Sequence, residues 1–442
     1  MRFVLFQILI LLLVSSLAFA QNNSDQAAIH LSEAIERALE NATHTRIAKA
    51  DKEAAEAGSG LLSSGYVPVV NSSLSYTRSQ FPQIITPIRQ QGTFPPIDDQ
   101  LYEATIQADW KLFDFGESRA VRQKALALAD AANINYELAK METIESTTSA
   151  FVQLEQLKEL RNVQMERVDA LKKNRDQLES LRREGRVADI DILKIEDAIV
   201  SAETILISTN NSIDQLLQIL SDDLAVRQKL TENDIITPGF KNDILFNPDN
   251  PAAEEAPPVM AAREQWMASE FEKKASYRAF LPQVNLFAAE QFRSGSNFEI
   301  DDQWMVGVRL NIPIFTGKQI VNNQVKKNEA KSKEIQLEQA RQIYRQQLNN
   351  LTNGQFKTQK RIESAKTRVK YLEETYRIEM ISYREGRSTL TDLLTTESTL
   401  NSVQAELIGM RAQLRLLNLN IAVLTGQLTR EMAIKLAEGE QL

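Results

Sequence analysis

Two aspartates stand at matching places in two copies of one pattern. Asp191 lies six residues after Gly185, and Asp392 lies six residues after Gly386. Each glycine sits within the same four residues, Arg-Glu-Gly-Arg, at 183–186 and 384–387. A glycine there lets the chain reverse tightly. Each carboxylate then falls in the first turn of the following helix, where the positive dipole end favours an acidic group that caps it. A second chemistry is open to the same pair. If several chains gather about one axis, Asp191 and Asp392 form a ring of carboxylates that binds cations and narrows a passage. Arg186 and Arg387 follow the glycines and read as solvated charges at a helix end, or as an ion pair or partner contact at the turn. Catalytic chemistry has no comparable constellation. The chain has no cysteine, so thiolate catalysis and disulfides are excluded. His30 and His44 have no partner at ligand spacing, and no Gly-rich phosphate loop or nucleophile elbow occurs. No metal site, no cofactor and no enzyme activity are expected.

Long helices must position these groups. After Asp392 the apolar residues Leu393, Leu400, Val403, Leu407, Met410, Leu414, Leu417, Ile421 and Leu424 step by three and four, with Thr396 as the one interruption. That is the seam of a coiled coil. Ile192, Ile195, Ile199, Ala202, Leu206, Ile213, Leu216 and Leu220 repeat the steps, with Thr209 in the gap. A shift of 201 residues lays one seam on the other, so the chain is an internal duplication.

Ahead of each turn the order of elements also repeats. A helix is expected from Leu31 to about Ser64, and strands over about 67–78 and 102–113 enclose a Pro- and Gly-rich loop. In the second strand Tyr102, Ala104, Ile106, Ala108, Trp110 and Leu112 alternate with Glu103, Thr105, Gln107, Asp109 and Lys111. One face is apolar and the other polar. A half-buried soluble strand fits this pattern, and so does a membrane barrel strand, which places Glu103, Asp109 and Lys111 towards a wet lumen. A long helix follows over 117–184, without Pro or Gly, ~100 Å at 1.5 Å per residue. The return helix covers 187–220. Residues 223–257 form a connector. The second repeat, 258–426, has strands at about 283–292 and 304–315, a long helix over 318–385 and a return helix over 388–424. The first repeat spans 21–222, and 427–442 is a tail.

The 442 residues hold only 15 Gly and 12 Pro, and aromatics are 7%. This is the composition of long helices rather than of several compact cores. The net charge of −8 is dispersed, which argues against a nucleic-acid partner. Residues 1–20 read as a signal peptide: Arg2, an apolar run, and Ala18-Phe19-Ala20 as the cleavage site. After Ala20 no stretch approaches the roughly 20 apolar residues of a spanning helix, so a membrane passage must use strands. Four strands cannot close a barrel, and lipid does not tolerate an open edge. Closure needs several chains; two give eight strands and three give twelve, both within the range of membrane barrels.

The order of elements, the duplication, "WKLFDFG" and "IPIFTGK" at the strand-to-helix junctions, and "GRVADIDIL" and "GRSTLTDLL" at the turns resemble the outer-membrane efflux protein family, the TolC-like outer-membrane channels. The resemblance covers about Leu31 to Leu424. It implies a mainly α fold with a small membrane β-barrel contribution: two tandem repeats of helix, β-hairpin, long helix and helix, trimerising into a twelve-stranded barrel on a coiled-coil α-barrel. It implies the outer membrane with a long periplasmic portion. It also implies a homotrimer that meets outer-membrane lipid, a periplasmic adaptor and an inner-membrane pump. The duct itself is passive. Asp191 and Asp392 match the aspartates that line the family's constriction, while Gly185, Arg186, Gly386 and Arg387 match the turns that meet the adaptor. This chain departs from the pattern at Thr395, where family members can carry a second carboxylate; the first repeat has Lys194. A non-conducting periplasmic coiled-coil protein is the alternative, and the alternating strands count against it.

Overall fold

The computed structural model describes residues 28–63, 67–84, 97–226, 229–248, 252–296, 298–315 and 317–440. The expected signal peptide at 1–20 lies outside them. In chain order the elements are β1 (Ile29–His30), α1 (Leu31–Asn41), α2 (Thr43–Ser63), β2 (Val69–Ile84), β3 (Ile97–Phe113), α3 (Glu117–Arg183), α4 (Asp189–Asp223), β4 (Ile235–Ile236), α5 (Pro257–Arg278), β5 (Gln283–Ser294), β6 (Ile300–Asn311), α6 (Gly317–Arg384), α7 (Leu390–Leu424) and α8 (Arg430–Glu438). The chain is mainly helical. It divides into two units: residues 1–46, 139–249 and 348–442 form unit 1, and residues 47–138 and 250–347 form unit 2.

Large apolar clusters lie in unit 1. The coiled-coil seams supply them, because residues three and four apart share a helix face. Ile192, Ile195, Ile199 and Ala202 of α4 pack with Val168, Leu171 and Leu178 of α3 and with Leu390 and Leu393 of α7. Nearer the connector, Phe151 and Leu154 meet Ile213, Leu217 and Leu220, along with Leu419, Ile421 and Ala422, in a second cluster. The connector adds Leu230, Ile235 and Phe246, and α8 adds Ala433, Leu436 and Ala437. A short parallel ladder pairs Ile29 with Ile235 and His30 with Ile236.

Two features differ from the sequence reading. The helix expected from Leu31 to Ser64 breaks at Ala42, whose ψ of 124° is extended. Beside the break, Asn41 Nδ2 donates to the Arg37 carbonyl at 2.8 Å, a side-chain bond that competes with the helical ladder. Second, α7 is long and apolar enough, by length and composition, to cross a membrane, with half of its most apolar window buried within the protein. The excess of apolar residues serves burial on several faces.

Unit 2 contains an antiparallel sheet of order β2-β3-β5-β6. The period-two patterns set its register: Tyr76 lies opposite Tyr102, Val70 opposite Ala108, Trp110 opposite Leu286, and Leu286 opposite Val308. Directly opposed residues share a face. Leu74, Trp110, Trp304, Val306, Val308 and Leu310 are all exposed, so the apolar face is uncovered within one chain. Among the described residues β2 and β6 leave their outer edges unpaired.

Candidate functional site at the two helical turns

The turns of unit 1 are built alike. Gly185 has φ +74° and Gly386 has φ +73°, a left-handed conformation that glycine adopts without a Cβ clash. Arg186 N donates to Leu181 O at 3.0 Å and Gly185 N to Arg182 O at 2.8 Å. In the second copy Arg387 N donates to Ser382 O at 2.8 Å and Gly386 N to Tyr383 O at 2.9 Å. Both are Schellman motifs, which satisfy the last carbonyls of the long helices.

Beyond the glycines the copies diverge. Thr389 caps α7. Its Oγ1 accepts from Asp392 N at 3.2 Å, and Asp392 Oδ2 accepts from Thr389 N at 3.2 Å and from Thr389 Oγ1 at 2.7 Å. This capping box ties up the carboxylate. Those bonds hold the Asp392 carboxyl below the usual aspartate range. α4 has Ala188 at the same place, with no side chain to cap it. Asp191 instead faces Lys194 Nζ at 4.0 Å. Lys194 Nζ also donates to Thr391 Oγ1 at 3.0 Å, which joins the first turn of α4 to that of α7. Tyr383 lies nearby; burial and then the Asp191 charge push its phenol above the usual range.

Arg186 pairs with Glu184 at 3.6 Å, and Arg387 with Glu385. These are ion pairs within each turn, and all four side chains are exposed. Arg186, Asp191, Lys194, Tyr383, Arg384, Gly386 and Thr391 are among the residues that line a cleft of ≈ 620 Å³ between the two turns. Gly185, Arg387 and Asp392 stand outside its lining. No group of three or more His, Asp or Glu residues suited to a metal ion occurs among the described residues.

A polar layer ties α3 to α7 farther along. Arg167 grips Glu397 with two bonds, 2.9 Å from Nε and 3.2 Å from Nη2, and Gln164 Nε2 donates to Asn401 Oδ1 at 3.1 Å. Burial pushes the Glu397 carboxyl up, against the pull of Arg167. Arg415, 2% exposed, fastens the connector and the tail. Its Nε donates to Ala437 O at 2.9 Å, Nη1 to Arg411 O at 3.1 Å and Nη2 to Asn242 O at 3.1 Å. The guanidinium also lies over the Phe240 ring, 4.1 Å from its centre, a cation–π contact. Sequence reasoning missed Lys194–Thr391, Arg167–Glu397 and Arg415. Polar residues on an otherwise apolar helix were the available signal.

In unit 2, Glu103 accepts from Gln291 Nε2 at 2.5 Å and lies 3.6 Å from Arg293 Nε. Asp109 accepts from Gln107 Nε2 at 2.6 Å, and Lys111 Nζ lies 3.7 Å from buried Asp114. Arg309 stacks on Phe287, 4.8 Å from the ring centre. Gly307 makes room for that ring, since a Cβ there would meet it at 2.7 Å. These groups share one polar face. Glu290 breaks the pattern: its register partners Ile106 and Trp304 put it on the apolar face.

The chain is duplicated and mainly helical, with two helical-hairpin turns and an open sheet that is apolar on one face and polar on the other. The family model described as outer membrane efflux protein matches residues 34–222 and 250–427, and the chain belongs to that family. That family is one of outer membrane efflux proteins, a transport class rather than an enzyme class. The chain is similar to Nodulation protein T of Rhizobium leguminosarum bv. trifolii, 22% identical over 315 residues. That match takes in 68% of this chain and 66% of the relative, so the chain spans slightly under two thirds of the relative's length. Among solved structures the outer-membrane channel OprN matches with TM-score 0.79 and 20% identity, covering 90% of each chain. The outer membrane protein VceC of Vibrio cholerae matches with TM-score 0.73 and 20% identity, over 90% of this chain and 96% of its own.

Proposed function

We propose that three copies of this chain form the passive exit duct of an efflux or secretion system, loaded by an inner-membrane pump through a periplasmic adaptor. The observation that carries this reading is the sheet of unit 2: four strands, an uncovered apolar face, a polar opposite face, and unpaired edges at β2 and β6. Lipid rewards the apolar face and forbids the open edges. Three chains supply twelve strands and bury every edge. The polar face, with Glu103, Asp109 and Lys111, then lines water. The repeats at 21–222 and 258–426 each contribute one strand hairpin and one helical hairpin, joined by the 223–257 connector.

At the helical turns, three copies bring Asp191 and Asp392 together as six carboxylates around the axis, the periplasmic constriction. Lys194 and Thr395 make that ring less acidic than a pair of carboxylates in each copy would. Gly185, Arg186, Gly386 and Arg387 present the surface that meets the adaptor. The exposed ion pairs at the turns suit exchange for a partner's charges. The test is purification from the outer-membrane fraction, with mass in detergent and conductance in a planar bilayer. A trimer with discrete conductance steps is expected. A monomer confined to the soluble periplasmic fraction that leaves bilayers tight would support the structural coiled-coil alternative.

A further inference from the structure

One patch on the polar face of the sheet in unit 2 departs from its surroundings. Its rungs follow from register: Gln291 lies opposite Gln303, Ala289 opposite Met305, Phe287 opposite Gly307 and Asn285 opposite Arg309. Phe287 is the one aromatic residue on this face of β5 and β6, and Met305 beside it is 41% exposed. On β2 and β3 the same face carries Ser73, Ser75, Thr105 and Gln107. An aromatic ring on a wet wall needs a physical reason. Gly307 supplies part of it. With no Cβ it lets the Phe287 ring lie against the strand, and a ring so placed shields the glycine backbone. Shielding does not account for the arginine above the ring. Among the described residues the paired polar face carries three cations. Lys111 has Asp114 and Arg293 has Glu103. Arg309 is exposed and has no carboxylate partner among the described residues; its contact is the Phe287 ring. A ring face takes up none of the guanidinium's N–H donors in conventional hydrogen bonds, so that fork stays available to an anion.

We propose that Phe287, Met305 and Arg309 form a binding platform on the duct wall for planar aromatic anions, carboxylates or sulfonates, as a class of cargo. The Arg309 guanidinium takes the anionic group through paired N–H donors. The ligand's ring lies against Phe287 and Met305; stacked rings attract, and a thioether adapts to an aromatic edge. Asp109, opposite Phe287 on β3, is the carboxylate closest in register, and it is occupied by its bond from Gln107. Three copies set three such platforms at one height around the passage. Each is open to water on one side, so it releases what it holds, as conduction requires. The platform rests on the three-copy duct reading and names a class of molecule for that duct to pass.

The test uses the full-length protein in planar bilayers, with 1-naphthalenesulfonate as the probe and methanesulfonate as the control of equal charge. Added on the barrel side, naphthalenesulfonate is expected to interrupt the current, with half-block at a concentration at least tenfold below that of methanesulfonate. Arg309→Gln should raise the naphthalenesulfonate half-block concentration at least tenfold, and Phe287→Leu at least threefold. Arg293→Gln, three rungs away and paired with Glu103, should change it less than twofold. Discrete conductance steps in each variant show that it has assembled, and Arg309→Gln, at an exposed position, keeps the test readable if Phe287→Leu does not fold. Equal half-block by the two sulfonates, or a half-block unchanged in Arg309→Gln, overturns the platform. Phe287 is then a cover for Gly307 alone, and the duct reading stands. Wild-type protein that does not conduct overturns both.

Discussion

The second return helix carries more buried polar side chains with partners than the first. α7 buries Glu397, Asn401, Arg415 and Asn418 along its length, and all four hold partners. The 201-residue shift puts Glu196, Val200, Asp214 and Leu217 at the matching places on α4, where the two acids are not buried. Thr389 caps α7, whereas Ala188 leaves α4 uncapped. Both return helices end in the same bonded turn, but Gly426 fills the left-handed position of one and Ala225, with φ +52°, that of the other. Duplication preserved the backbone hydrogen bonds, which any sequence with the right turn residues can make. Side chains were free to specialise: α7 holds the connector and the tail through Arg415 and Asn418, while α4 holds the connector through Ser221, which accepts from Leu230 N at 2.9 Å.

The comparison is broken most severely at Arg415. Arg415→Met takes the side-chain donors away from the carbonyls of Ala437 and Asn242 and removes a cation from buried Asp243, 3.8 Å away. A loss of about 3–5 kcal/mol is expected, measured by denaturant unfolding, with faster amide exchange in α8. Asp214→Met at the matching place on α4 should change stability by less than about 0.5 kcal/mol.

Next comes the Arg167–Glu397 pair. Glu397→Ala leaves a guanidinium only 11% exposed without its carboxylate, at a cost of about 3 kcal/mol. Glu196→Ala, whose side chain is 43% exposed, should cost little. The pH dependence sharpens the contrast. Burial raises the Glu397 pKa in the folded state, so the folded protein binds its proton more readily than the unfolded chain does. Stability from this group is therefore full below the ordinary glutamate range and falls as pH rises through the raised value. Glu397→Gln should remove that slope from the unfolding free energy. Asp392 has the opposite sign: its lowered pKa gives stability present above the ordinary aspartate range and lost as pH falls through the lowered value.

Capping gives the third contrast. Thr389→Ala should destabilise by about 1 kcal/mol, and Ala188→Thr should give α4 a cap and gain about 0.5–1 kcal/mol. Thermal unfolding of the two variants in parallel checks the opposite signs. The smallest effect is at the far ends of the return helices. Ala225→Gly relieves a left-handed alanine and should stabilise by about 0.5–1 kcal/mol, while Gly426→Ala should lose a similar amount.

The helices were legible because their signals are long and periodic. The seam from Leu393 to Leu424 and the Pro- and Gly-free run after Glu117 each repeat one message over dozens of residues. Turn glycines were legible for the same reason of few alternatives: the backbone at 185 and 386 needs a positive φ. The strand faces followed from alternation, yet the position of Glu290 did not, because it depends on register with Ile106 and Trp304. The links of Arg415 to Asn242 and Ala437, and of Lys194 to Thr391, bridge residues 22 to 197 apart in the chain. No local pattern encodes such pairs. Neither did the sequence distinguish the two tip aspartates, whose difference turns on whether residue 188 or 389 carries a hydroxyl.

Single-channel recording of the wild-type chain beside Asp191→Asn/Asp392→Asn, with and without millimolar divalent cations, tests the duct and its constriction together. Wild type should conduct in discrete steps that divalent cations block, and the double variant should conduct with the block largely lost. Wild-type protein that leaves the bilayer tight would contradict the duct, and identical block in both proteins would contradict the carboxylate constriction.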